Sequence, residues 1–219
     1  AAYGEASYQL TDAWSVTVGG RYYKYNLKLA SAYTFPPIPA TGPVFNFRHD
    51  GQKDSGFLGK VNTSYRITPD VLAYGTISQG YRSGGSNSLN PCPAPFVCGQ
   101  PNELLYTPDK TTNYEIGVKS QWFDRRVTLN AAVFYIDSKD VQLASSTQVG
   151  AVGITVNGKG ASSKGTELTL DAQVTDKLRI QGSYSYTDAQ LDEFSPDLIR
   201  TIVPPGFAGV YVDGQAGDR

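Results

Sequence analysis

The chain has 219 residues, of which 40% are hydrophobic, with 23 glycines, 15 tyrosines and a formal net charge of −1. This charge gives no electrostatic basis for nucleic-acid binding, and no apolar run approaches the ~18 residues of a membrane helix. A transmembrane barrel is not excluded, because its strands need only ~10 residues with every second one apolar. Methionine is absent, also at position 1, and no signal peptide is visible, so we expect the start of an exported precursor to be missing.

Four stretches in the first half of the chain alternate apolar and polar residues with period two, as strands with one apolar face do. They cover residues 2–10, 14–23, 57–66 and 71–82. Their apolar positions include Ala6, Tyr8, Leu10, Trp14, Val16, Val18, Tyr22, Phe57, Val61, Tyr65, Val71, Ala73 and Ile77.

The second half repeats the pattern more clearly, at residues 113–122, 127–135, 167–174 and 178–186. Its apolar positions include Tyr114, Ile116, Val118, Trp122, Val127, Leu129, Ala131, Val133, Tyr135, Leu168, Leu170, Leu178, Ile180, Tyr184 and Tyr186. The sequence therefore predicts an all-β protein with eight strands.

The connections alternate between two lengths. Short turns fall at 11–13, 67–70, 123–126 and 175–177, and long segments rich in Pro, Gly, Ser and Asn fall near 30–52, 86–112, 144–163 and 190–219. An antiparallel up-and-down transmembrane barrel has tight periplasmic turns and long external loops in this order. The connections of a soluble Greek-key sandwich are not expected to alternate in length in this way.

Large residues recur eight positions apart on one strand face, as in Trp14 and Tyr22, Phe57 and Tyr65, and Tyr114 and Trp122. At ~3.3 Å rise and ~40° tilt, eight residues climb roughly 20 Å, close to the ~25 Å apolar band of such barrels. These aromatics are predicted to form two interfacial girdles. Charged residues on the opposite parity would then face the lumen, because lipid exposure costs a Lys or Arg up to ~2–4 kcal/mol; they are Lys60, Glu115, Lys119 and Arg179.

The two cysteines, Cys92 and Cys98, flank five residues that include turn-forming prolines. A local disulfide fits an oxidising compartment and would contribute roughly 2–2.5 kcal/mol in the chain-entropy model. Two free thiols are the alternative. No metal site is expected, because the only histidine, His49, is far away in sequence.

Three stretches carry a resemblance to a known family. They are Ala73-Tyr-Gly-Thr-Ile-Ser-Gln-Gly-Tyr-Arg-Ser-Gly-Gly85, Asn113-Tyr-Glu-Ile-Gly-Val-Lys-Ser-Gln-Trp-Phe-Asp124 and Asn157-Gly-Lys-Gly-Ala-Ser-Ser-Lys-Gly-Thr-Glu-Leu168. In order and spacing the chain resembles the β-barrel of TonB-dependent receptors, the outer-membrane siderophore and solute receptors of bacteria.

The resemblance implies that residues 1–219 are a partial barrel domain, about eight strands of a 22-stranded barrel. The N-terminal plug domain and the C-terminal closing strands would be absent. The intact parent would lie in the bacterial outer membrane, bind and import an iron–siderophore complex or another scarce solute, and take energy from TonB through the plug. Its partners would be outer-membrane lipid, TonB and the solute, with no nucleic acid, cofactor, metal or catalytic residue and no enzymatic activity.

The candidate site residues form two groups. Loop aromatics that are expected to contact ligand, or to pack loop on loop, are Tyr33, Phe35, Phe45, Phe47, Phe96 and Tyr106. Lumen-facing charges that are expected to contact the plug, or to pair across strands, are Arg21, Lys60, Arg82, Glu115, Lys119 and Glu167. Asp109 and Lys110 are expected only to solvate a loop end.

Two alternatives remain at this point. A self-contained eight-stranded barrel with a structural or adhesive role fits the strand count, although residues 190–219 supply no closing strand that ends in an aromatic residue. A soluble all-β binding domain would not depend on detergent.

Overall fold

The computed structural model describes residues 1–35, 44–92, 98–148, 152–200 and 211–219, and within them the side chains of 1–30, 49–92, 98–148, 152–195 and 214–219. Eight strands form one antiparallel sheet in which each strand pairs with the next long strand along the chain. They are β1 (Ala2–Gln9), β2 (Trp14–Phe35), β3 (Val44–Thr68), β4 (Val71–Arg82), β7 (Asp109–Trp122), β8 (Val127–Lys139), β11 (Gly160–Thr175) and β12 (Leu178–Leu191). The predicted meander of eight strands is confirmed.

The remaining elements are small and lie in the long connections. They are β5 (Gly85–Ser86), α1 (Pro101–Leu104), β6 (Leu105–Tyr106), β9 (Gln142–Ser146), β10 (Gly153–Asn157), β13 (Ser195–Arg200) and β14 (Tyr211–Gly214). In the described part of the chain, no helix has the length and apolarity needed to cross a membrane.

The strand register places the predicted girdles on one face. Trp14 pairs with Tyr65 near the short turns, whereas Tyr22 pairs with Phe57 toward the long loops. In the other half of the sheet, on the same face, Tyr114 pairs with Tyr135 at this outer rim, with ring centroids 6.4 Å apart. Because side chains alternate across a strand, these pairings place the two predicted girdles on one face and at opposite ends of the sheet.

The apolar face between the girdles is exposed. Phe57 and Ile116 are each 68% exposed, and the only buried hydrophobic residues among the described side chains are Tyr23, Leu89, Cys98 and Ile154. A soluble monomer rarely leaves an apolar surface of this extent uncovered. The lipid of a bilayer is the solvent that such a face requires.

The segment near 30–52 corrects the predicted loop pattern, because much of it is strand. β2 runs to Phe35 and β3 begins at Val44, so that 22- and 25-residue strands form one long hairpin. Beyond Tyr22 the polarity of the two faces is exchanged: Lys24 and Lys28 are exposed on the outward face, whereas Tyr23 is buried on the lumen side. The alternation continues with inverted polarity, because water replaces lipid outside and loops cover the inside.

The sheet is open. β1 pairs only with β2, and β12 pairs only with β11, with no ladder between the first and last strands. This outcome confirms the expected open sheet and is incompatible with a self-contained eight-stranded barrel, which would need these two edges to pair.

Candidate functional site

The long connections meet in one layer at the outer end of the sheet, on its lumen side. Leu89 of the β4–β7 connection packs against Ile154 of the β8–β11 connection, and Leu104, Val152 and Val156 surround them. Two connections that are separate in sequence therefore share a small apolar core. Ligand approaching from outside would meet this layer first, so it is the candidate functional site.

Glu103 is a buried carboxylate at the centre of this layer, 1% exposed. One oxygen, Oε2, accepts a hydrogen bond of 2.7 Å from the backbone N–H of Gln100, at the start of α1. The other, Oε1, accepts a bond of 2.7 Å from the N–H of Gln148 in the next connection. The sequence analysis missed Glu103, although Glu at the third position of a helix that begins with proline is a recognisable capping pattern.

Asn87 joins the same two connections through its side-chain amide. Its Nδ2 donates to the carbonyl of Thr155 at 2.7 Å, and its Oδ1 accepts from the N–H of Thr155 at 2.9 Å. The amide thus pairs with an exposed strand edge as another strand would. Asn157 does the same for Thr107, accepting from its N–H at 2.6 Å and donating to its carbonyl at 3.0 Å.

The predicted disulfide between Cys92 and Cys98 is present, with the two Cα atoms 5.0 Å apart. Cys98 is buried, and the N–H of Cys92 donates to the carbonyl of Gly99 at 3.1 Å. The bridge therefore closes the tip of the β4–β7 connection beside the Leu89 core.

Arg82 and Asp109 close the base of this connection, and Asp109 corrects an expectation. The Nε atom of Arg82 donates to Asp109 Oδ2 at 2.8 Å, and the N–H of Gln142 donates to the same oxygen at 3.2 Å. Asp109 is 2% exposed, so it does not merely solvate a loop end. Arg82 pairs with it across strands, which is one of the two outcomes expected for this residue. The hydrogen bond to Asp109 raises the pKa of Arg82 above its ordinary value. The other residue of the pair expected at this loop end, Lys110, is exposed.

Tyr106 is the one loop aromatic whose side chain the structure describes, and it packs loop on loop. Its ring lies against Gly85, where a Cβ atom would collide with it. Its carbonyl accepts a 2.6 Å hydrogen bond from Gln52 Nε2, which ties the connection to the β2–β3 hairpin.

The other loop aromatics fall partly or wholly outside the description. Tyr33 and Phe35 lie in the backbone of β2, and Phe45 and Phe47 in that of β3, so they belong to strands and not to an irregular loop. Their side chains and the whole of Phe96 lie outside the described residues. Contact with ligand stays a prediction for all of them.

A tyrosine stack that the sequence analysis missed lies beneath the loop layer. The rings of Tyr23 and Tyr81 are parallel within 10°, with centroids 3.8 Å apart, and Tyr23 donates to Asp54 Oδ2 at 3.1 Å. Tyr25 stacks beside Tyr23 and accepts from the N–H of Gly84 at 3.3 Å; burial raises the pKa of its hydroxyl. The only indication of this stack in the sequence is that the polar and apolar faces of the strand exchange places beyond Tyr22.

The lumen wall carries the predicted charges on the face opposite the girdles. Lys60 pairs with Glu5 at 3.2 Å, and Glu115 accepts a hydrogen bond of 2.8 Å from the Tyr74 hydroxyl. Lys119 Nζ lies 5.4 Å from the centre of the Tyr74 ring. Cross-strand pairing thus engages these three.

Arg21 and Glu167 lie on this same lumen face. Neither forms an ion pair with another described residue. The structure leaves open their expected contact with a plug, which stays a prediction.

No metal-binding cluster of three or more His, Cys, Asp or Glu side chains occurs in the described ranges. The donor atoms of the loop layer are instead used to hold its segments together. The loop layer therefore forms a hydrogen-bonded surface above the polar lumen wall.

Comparison with known proteins decides the family. The sequence model for "TonB dependent receptor-like, beta-barrel" matches residues 1–214, nearly the whole chain. The chain belongs to the TonB-dependent receptor family. Its members are bacterial outer-membrane proteins, which agrees with the exposed apolar band and its girdles.

Relatives of this TonB-dependent receptor chain include the pesticin receptor of Yersinia enterocolitica, 29% identical over 79% of the chain and 23% of the relative. The metal-pseudopaline receptor CntO of Pseudomonas aeruginosa is 26% identical over 60% of the chain and 16% of its own length. The chain therefore spans about a quarter or less of these relatives.

Solved structures share the fold. The ferric yersiniabactin uptake receptor FyuA from Yersinia pestis aligns with a TM-score of 0.65 at 23% identity, over 86% of this chain and 26% of that one. The copper transporter OprC aligns with a TM-score of 0.66 at 18% identity, over 86% of this chain and 28% of that one. The eight strands thus correspond to part of a 22-stranded barrel.

Proposed function

We propose that this chain is the partial barrel domain of a receptor that imports an iron–siderophore complex or a comparably scarce solute across the outer membrane. The observation that carries the proposal is the eight-stranded meander itself, with lipid-facing girdles outside, a polar wall inside and an interlocked loop layer over the outer end. A pesticin receptor and the metal-pseudopaline receptor CntO are among its relatives, and the ferric yersiniabactin uptake receptor FyuA has the same barrel fold.

In this proposal the residues outside the chain supply the plug, the contact with TonB and the strands that complete the barrel. The open edges β1 and β12 are the points at which neighbouring strands would continue the ladder. Arg21 and Glu167, on the lumen wall, are proposed to face the plug. The function is transport and not catalysis.

The loop layer is proposed to receive the solute. Tyr33, Phe35, Phe45, Phe47, Phe96 and Tyr106 are its aromatic candidates. Large flat chelates pack well on aromatic rings. The Glu103 and Asn87 contacts would pre-organise this surface, which reduces the entropy lost on binding.

The test is uptake of radioactive iron by cells that carry the full receptor, supplied with ferric catecholate, ferric hydroxamate and ferric phenolate chelates in turn. We expect saturable uptake of at least one chelate that stops when the proton gradient is collapsed. Uptake that persists without the gradient, or that equals the uptake of a receptor-deletion strain for every chelate, would refute the proposal. Complexes of radioactive copper and nickel are tested in the same way.

A further inference from the structure

Asn157, the last residue of β10, lies where the two interlocked connections meet. Besides its two hydrogen bonds with Thr107, its Nδ2 atom donates to the carbonyl of Asp140 at 2.7 Å. Asp140 has a left-handed backbone with a φ of 54°, which crowds the Cβ atom of an L-residue. This one amide therefore joins three segments and helps to hold a strained residue in place.

The residue after Asn157 is Gly158, and this is the only Asn-Gly pair in the sequence. Asparagine is thermolabile, because the backbone nitrogen of the next residue can attack its side-chain carbonyl carbon. The new C–N bond closes a succinimide ring, and the side-chain nitrogen leaves as ammonia with the proton of the attacking N–H. Water then opens the ring to give aspartate or isoaspartate. Glycine has no Cβ atom to hinder the attack, so this pair is the most reactive asparagine site in the sequence.

The closed loop layer protects this pair from the reaction. The attacking N–H of Gly158 is bound to the carbonyl of Val141 at 2.8 Å, and the leaving Nδ2 is held by the two carbonyls described above. Gly158 is buried, and a Cβ atom added there would lie 2.9 Å from Leu143 Cδ1. The reaction therefore requires a local opening that breaks these hydrogen bonds and admits water.

The product of the reaction cannot replace the amide. An aspartate has two acceptor oxygens and no NH₂ donor, so one oxygen would face the carbonyls of Thr107 and Asp140 that Nδ2 now binds. Acceptors that face each other repel, and carbonyls left without a donor in a buried layer destabilise it. Isoaspartate also adds a carbon atom to the backbone, which disturbs the pairing of Asn157 with Gln142 between β10 and β9.

We propose that Asn157 is a deamidation site whose modification irreversibly releases the β4–β7 connection from the β8–β11 connection. The closed layer protects the site and each opening exposes it, so released receptors accumulate with age. Asn87, which binds Thr155 in the same manner, precedes Ser88. The serine side chain hinders the attack, so Asn87 persists longer. This inference concerns the ageing of the loop layer and does not depend on which solute is imported.

The first experiment follows deamidation in the full receptor, folded in detergent or unfolded in denaturant, by mass spectrometry of the peptide that contains Asn157. An isoaspartate-specific methyltransferase identifies the second product. The folded receptor should react about 30-fold or more slowly than the unfolded one. L89A removes the apolar contact between the two connections and should speed the reaction of the folded receptor about 10-fold. L105A, which shortens an exposed leucine of the same layer, is the matched control and should leave the rate unchanged.

The second experiment uses N157D, which has the side chain of one product. Hydrogen exchange at residues 104–107 and 140–146 of the full receptor should be about 5- to 30-fold faster in this variant. N26D makes the same change at an exposed asparagine of the β2–β3 hairpin and should exchange as the unchanged receptor does.

Three results would overturn the proposal. They are equal deamidation rates in the folded and unfolded receptor, an unchanged rate in L89A, and unchanged exchange in N157D. Heat-modifiable migration in gels checks that the variants fold. The comparison of the folded with the unfolded receptor needs no variant, so it decides whether the closed layer protects Asn157 even where a substitution prevents folding.

Discussion

At the scale of single residues, Glu103 and the two backbone N–H groups that it binds stabilise the loop layer. A buried carboxylate that accepts two backbone N–H bonds has its charge compensated, and removing an acceptor leaves a buried donor without a partner. The two donors, Gln100 and Gln148, belong to different connections. One side chain therefore couples segments 45 residues apart in sequence.

Substituting Glu103→Gln should loosen this coupling. The new amide presents one oxygen and one NH₂ group, so it can accept only one of the two bonds and places a donor against the other N–H. We expect a local loss of about 1–3 kcal/mol, measured as faster hydrogen exchange at residues 98–106 and 146–148 in the full receptor. The control is Glu193→Gln, an exposed residue in the same layer; equal acceleration in both variants would contradict the role of Glu103.

At the scale of elements, the alternation along β8 separates lipid from lumen at adjacent positions. Ala131 lies opposite Val118 and Leu168 on the apolar face, midway between Val127 and Tyr135. Ala132, the next residue, lies opposite Glu167 on the lumen face. The same substitution at both positions therefore tests the face assignment.

Ala131→Lys should lower the free energy of unfolding of the full receptor in a bilayer by about 2–4 kcal/mol, because it places a charge at the membrane midplane. Ala132→Lys should cost far less, since its ammonium group meets Glu167 and water. Denaturant titration of the refolded receptor measures both. Equal losses would show that the two faces are wrongly assigned.

The disulfide in the β4–β7 connection acts on a second element. Changing both Cys92 and Cys98 to Ser should cost this connection about 2–2.5 kcal/mol, the chain-entropy value for so short a loop, while the sheet keeps its stability. Limited proteolysis should then cut within residues 87–101 first. In the unchanged protein, unfolded without reductant, a thiol reagent should label neither cysteine, and labelling of both would reject the bridge.

At the scale of the whole molecule, the open sheet determines what these residues do without the rest of the barrel. β1 and β12 each expose one row of backbone N–H and C=O groups. Such edges cost several kcal/mol per group in lipid, and in water they promote edge-to-edge aggregation. The polar lumen face gives the sheet no apolar interior to collapse upon.

The isolated 219-residue chain should therefore aggregate when purified and give no discrete conductance steps in a planar bilayer. The full receptor, prepared in the same way, is the positive control for insertion. Stable single-channel openings from the isolated chain would contradict this expectation and would revive the small-barrel alternative.

The sequence by itself determined the strands, the parity of the turns and the lipid-facing side from Trp14 to Tyr186. These features are local: period-two alternation and turn residues need no distant contact, and the lipid imposes one rule on every strand. The sequence also located the disulfide, because its cysteines are only six positions apart.

Only the tertiary structure decided how the outer end is built. The strand character of the segment near 30–52 comes from the pairing of β2 with β3 beyond the rim. The Tyr23–Tyr81 stack and the partners of Asp109 and Glu103 depend on residues brought together from separate parts of the chain. Beyond the rim water replaces lipid, so an apolar residue there no longer points outward. Its contact partner is determined by the tertiary fold and is distant in sequence. Periodicity among neighbouring residues therefore does not reveal that partner.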